Sequence, residues 1–125
     1  MAKSVLIADA ELNAVFLEVL AGSLSLLGFD VVGTTSQMSD LISLTSETKP
    51  DLLIFDTHMS SDETTSFSDL QLLKELMPGM KIIALGYHEA FDEITHTYLE
   101  VGFDGYWNKY DNEAGLLRLL KLVFS

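Results

Sequence analysis

The sequence contains no cysteine. Disulfides, thiolate metal sites and a cysteine nucleophile are thereby excluded. Basic residues are scarce: seven Lys and Arg stand against 19 Asp and Glu, a formal charge of −12. A field of that sign repels phosphate backbones and anionic lipid, so neither nucleic acid nor membrane is expected as a direct partner. No apolar run approaches the roughly 20 residues that a membrane span requires. Met1-Ala2-Lys3 passes straight into an apolar strand-like segment, without the longer stretch and cleavage site of a secretory signal. The expectation is a soluble cytoplasmic protein. The length of 125 residues, 48% of them hydrophobic, predicts one domain over 1–125 around one core, with no output domain.

What is present is a regular alternation. Val5-Leu6-Ile7-Ala8, Leu52-Leu53-Ile54-Phe55 and Ile82-Ile83-Ala84-Leu85 are short continuous apolar runs, suited to strands buried on both faces. Asp30 to Thr34 and Gly105-Tyr106-Trp107 are weaker strand candidates. Between them lie segments with helical spacing. Leu12, Val15, Phe16, Val19, Leu20 and Leu24 precede a stop at Gly28, and Leu41, Ile42 and Leu44 end before Pro50. Leu70, Leu73, Leu76 and Met77 precede Pro78-Gly79. Phe91, Ile94, Tyr98 and Val101 stop at Gly102, and Asn112 is a suitable N-cap for a last helix through Leu116, Leu120 and Phe124.

Five βα units predict a doubly wound parallel sheet with helices on both faces. In such sheets the crevice lies at the carboxyl ends of the strands, at the topological switch point. Asp9-Ala10-Glu11, Asp56-Thr57-His58, Gly86-Tyr87 and Asn108-Lys109 are the segments that reach it.

These segments carry a resemblance. Val5 to Glu11 is similar to the opening strand and acidic turn of the response-regulator receiver domain. Pro50-Asp51 through Met59 is similar to its third strand, Lys81 to Gly86 to its fourth, and Val101 to Lys109 to its fifth with the terminal lysine. The resemblance covers the whole chain and implies the flavodoxin-like strand order 2-1-3-4-5. It implies that Asp56 is the phosphoacceptor, taking a phosphoryl group from a histidine kinase or phosphotransfer protein. It further implies Mg²⁺ held by Asp9, Asp56 and the backbone carbonyl of His58, with Glu11 as a further candidate ligand. Lys109 would contact the phosphoryl oxygens, and Gly86 and Tyr106 occupy the switch positions.

The sequence departs from the family at Ala10, where a second acid is usual, and at Gly86, where a hydroxyl is usual. Thr57, Ser60 and Ser61 are the candidates for a substitute hydroxyl, with Thr57 taken as the phosphoryl contact. Tyr87 replaces an alanine and Tyr110 a proline. These departures define the alternative, a pseudo-receiver that binds proteins without being phosphorylated. His88 and His96 form no recognisable site, and flavin or cobalamin readings fail for want of the glycine-bearing loops. Leucines cover more than one face of the last helix, so with Tyr106 and Trp107 they predict an association surface, such as a homodimer contact, on the fourth and fifth units.

Overall fold

The computed structural model describes residues 3–9, 14–56, 71–86, 103–108 and 113–124. Five strands form one parallel sheet: β1 (Lys3–Ala8), β2 (Phe29–Thr35), β3 (Leu52–Asp56), β4 (Lys81–Gly86) and β5 (Gly105–Asn108). Their order is β2-β1-β3-β4-β5, as expected. Helix α1 (Ala14–Leu26), helix α2 (Met38–Thr48), a helical segment over 71–76 and a C-terminal helix (Glu113–Val123) complete the described chain. Among the described residues no helix is long and apolar enough to cross a membrane. The fourth expected helix, with Phe91, Ile94, Tyr98 and Val101, lies outside the described residues, as do Leu12, Leu70 and Asn112.

Strand alternation divides the apolar residues between two layers. Leu6, Ala8, Leu53, Phe55, Ile82 and Ala84 face α2 and segment 71–76, where they meet Leu41 and Leu73. Val5, Ile7, Leu52, Ile54, Ile83 and Leu85 face α1 and the C-terminal helix, where they meet Leu20, Leu24, Leu116 and Leu120. The three central strands therefore read as unbroken apolar runs because each has two dry faces. On edge strand β2 exposure alternates instead. Its register shifts between Val5 and Leu6, where Val31 and then Gly33 are the partners. A Cβ on Gly33 would stand 3.2 Å from Leu6 Cδ1, so at the bulge the Gly33 backbone lies against the Leu6 side chain.

Three expectations are corrected. Val15 and Val19 are 71% and 55% exposed, because α1 meets the sheet through Leu20 and Leu24 and carries the valines on its far side. Leu76 is 56% exposed, whereas Leu73, three residues earlier, is buried. Trp107 is buried with Leu116 and Leu120, which removes it from any association surface; of the residues read as surplus, Leu122 is 74% exposed.

The helix ends follow local rules. Gly28 takes φ of +88°, a value that a side chain disfavours. Lys49 leaves the helical region ahead of Pro50, as expected, but for the left-handed region at φ 47° and ψ 59°. Its N–H donates to the Thr45 carbonyl at 2.9 Å and closes α2.

Gly105 permits the C-terminal helix to lie against β5. A Cβ there would stand 2.6 Å from Leu119 Cδ1. Gly105→Ala is expected to destabilise by about 1–3 kcal/mol through overpacking. Much of that penalty should disappear in a Leu119→Ala background, and urea unfolding of the four proteins in the cycle measures the coupling.

Candidate functional site

Parallel order fixes where chemistry can gather. The chain leaves β1 for β2 on one side, and β3 packs on the other, so the switch point lies between β1 and β3. Ala8 and Phe55 are register partners across these strands. The next residues are Asp9, directly after β1, and Asp56, the last residue of β3. Both are fully buried. The Asp9 N–H donates to the Thr35 carbonyl at 3.0 Å, which ties the end of β1 to the end of β2. Asp56 pairs in register with Leu85 of β4.

Two acids without solvent access are exceptional at any position, since a carboxylate loses hydration on burial. Strands hydrogen-bonded to one another run about 4.8 Å apart, so the backbones that carry these carboxylates end side by side. Their oxygen donors fit a hard cation such as Mg²⁺, which commonly takes one or two carboxylates and keeps waters and phosphate oxygens in its other positions. Among the described residues no group of three or more metal-binding side chains assembles.

The remaining strands complete the edge. Gly86 is the last residue of β4 and pairs with Asn108 of β5. Tyr106 pairs with Ala84 and packs, half-buried, on the layer that contains Phe55. A row Thr35–Ala8–Phe55–Ala84–Tyr106 thus crosses the sheet one residue below the site. Glu11, Thr57, His58 and Lys109 lie outside the described residues, as do Ala10, Tyr87 and Tyr110.

Two acids that sequence reading did not single out organise the opposite edge. Asp51 Oδ2 accepts from the Ser4 N–H at 2.8 Å and from Ser4 Oγ at 3.3 Å. Asp104 Oδ2 accepts from Lys74 Nζ at 2.7 Å and from the Ile82 N–H at 2.8 Å. Lys74 Nζ also donates to the Met80 carbonyl at 2.9 Å, so one ion pair joins segment 71–76, β4 and the start of β5. Asp104→Ala would leave the Ile82 N–H and the half-buried ammonium without that acceptor. The expected loss is about 2–3 kcal/mol of unfolding free energy, with a smaller loss for Asp104→Asn, read by urea denaturation.

The family described as Response regulator receiver domain matches residues 5–121. The structure is similar to that of a response regulator from Thermotoga maritima, with TM-score 0.81, 22% identity and 100% of each chain covered. It is similar to a CheY-like response regulator receiver domain protein from Methanospirillum hungatei, with TM-score 0.77 and 24% identity, covering 97% of this chain and 92% of that one. It is also similar to RcsB from Salmonella enterica serovar Typhimurium, solved bound to promoter rprA in the presence of the phosphomimetic BeF₃⁻. There the TM-score is 0.80 and the identity 23%, covering 98% of this chain and 99% of that one. Likenesses at this identity establish the fold. No curated protein sequence matches the chain.

Proposed function

The chain belongs to the response-regulator receiver domain family, and from that premise we propose that it accepts a phosphoryl group on Asp56 and relays it as a change in a protein-binding surface. The observation that carries this reading is the pair Asp9 and Asp56, fully buried on adjacent strand ends at the switch point. Such burial suits a carboxylate whose work is nucleophilic attack in a site sheltered from competing water. The donor is a phosphohistidine of a histidine kinase or phosphotransfer protein. An Asp56 carboxylate oxygen forms the new P–O bond, the P–N bond breaks, and the departing imidazole takes up a proton. Water later cleaves the acyl phosphate and restores the carboxylate.

Asp9, Asp56, the His58 backbone carbonyl and Glu11 are the residues that would hold Mg²⁺. When bound, the ion neutralises charge on the phosphoryl oxygens. Lys109 contributes a point charge to those oxygens, and Thr57 a hydroxyl in place of the one that Gly86 lacks. Tyr106 reports occupancy by repacking on the Phe55 layer, a shift between two states of one surface. We assign the whole of 1–125 to this single domain and place it in the cytoplasm. Self-association is assigned to the fourth and fifth units, where Leu122 is exposed. The charge of −12 makes nucleic acid and anionic membrane poor direct partners.

Ala10 and Gly86 favour a second reading, in which the same fold binds proteins without phosphorylation. Beryllofluoride separates the two. With Mg²⁺ present, the phosphorylated reading expects saturable amide shifts at Asp9, Asp56, Gly86 and Tyr106. An unchanged spectrum at millimolar Mg²⁺ would leave the binding-module reading in possession.

A further inference from the structure

The edge of the sheet opposite Asp9 and Asp56 holds a cleft of about 740 Å³. It is bounded by the end of α1, the start of β2 and the end of the C-terminal helix. Leu26, Phe29, Leu117 and Phe124 form its apolar wall. Leu26 is 90% exposed, and the Phe29 and Phe124 rings stand 5.5 Å apart at 53°. A second cavity of about 240 Å³ shares Leu26, Leu27 and Leu117 and continues along the groove between α1 and the C-terminal helix.

Two cations line the same cleft. Lys3 Nζ lies 4.8 Å from the centroid of the Phe124 ring, and Lys121 belongs to the lining. Among the described residues neither lysine forms an ion pair with a carboxylate. The chain has only seven basic residues against 19 acids, so two such cations beside one exposed apolar wall mark a local reversal of charge.

We propose that this cleft binds a small amphiphilic anion, a linear aliphatic carboxylate, with its head at Lys3 and Lys121 and its chain along Leu26, Leu117 and the two phenylalanines. The volume falls within the roughly 300–1,000 Å³ of small-molecule sites, which are mostly apolar with a few placed polar groups. The continuation between the helices fits an extended chain better than a compact ring. The reading is independent of phosphorylation at Asp56.

Titration of the isotopically labelled full chain with dodecanoate, below its micelle concentration, tests it. Saturable amide shifts are expected at Leu26 to Phe29, Leu117 and Phe124. Dodecyltrimethylammonium, with the same chain and opposite charge, should bind at least about tenfold more weakly. The variant carrying both Lys3→Glu and Lys121→Glu should lose about tenfold in dodecanoate affinity, and so should Leu26→Glu, a change at a solvent-facing position that leaves the fold intact. Equal binding of the two amphiphiles, no saturable shift, or shifts spread through the chain would each overturn the proposal. So would binding to anionic vesicles or to an acidic peptide without binding to dodecanoate.

Discussion

Asp56→Asn is expected to reduce phosphoryl incorporation from a phosphohistidine donor by at least about 10³-fold, because an amide is not a competent nucleophile. The substitution keeps shape and volume at a fully buried position. It also removes one of two carboxylates held on neighbouring strand ends. The urea midpoint of the variant reads whether it folds as the natural chain does. Loss of incorporation with an undiminished midpoint separates chemistry from folding. Mg²⁺ should raise the thermal midpoint of the natural chain through binding to the folded state, and raise that of the variant less.

Phe55→Ala is expected to lower the free energy of unfolding by about 3–5 kcal/mol. Phe55 is fully buried in the layer beneath α2 and lies 6.3 Å, ring to ring, from Phe103. Its register partners on either side are Ala8 and Ala84. The phenyl ring thus fills space that both neighbours leave vacant, and its removal makes a row of three alanines that backbone hydrogen bonding prevents from closing. The cost should lie toward the upper end of that range, a large share of the roughly 5–15 kcal/mol that holds a domain folded. Phe55→Leu should cost less than half as much. Because Asp56 is the next residue, Phe55→Ala should also weaken Mg²⁺ binding. Denaturant titration with and without the ion measures both effects.

The central strands are legible because burial on two faces leaves a continuous apolar run, too short for an independent helix. The edge strands were weaker in sequence, since β2 alternates in exposure and β5 is four residues long. Helix α1 misled at Val15 and Val19 because it is apolar nearly all round, so spacing alone does not say which arc meets the sheet. Trp107 was misplaced for a similar reason: only its register with Leu85 reveals that it faces inward. Asp9 and Asp56 were legible because a polar residue ending an apolar strand at the switch point has a defined address. Asp51 and Asp104 were not, since two more acids in a chain of 19 give no contrast. Their partners, at Ser4 and at Lys74 and Ile82, are set by the tertiary fold.

The most direct measurement is the intact mass of the chain after incubation with Mg²⁺ and acetyl phosphate, followed by mapping of the modified peptide. The expected gain is the mass of one phosphoryl group, carried on the peptide that contains Asp56, dependent on Mg²⁺ and lost on standing as the acyl phosphate hydrolyses. No gain at millimolar Mg²⁺, or a gain that persists in Asp56→Asn, would contradict it.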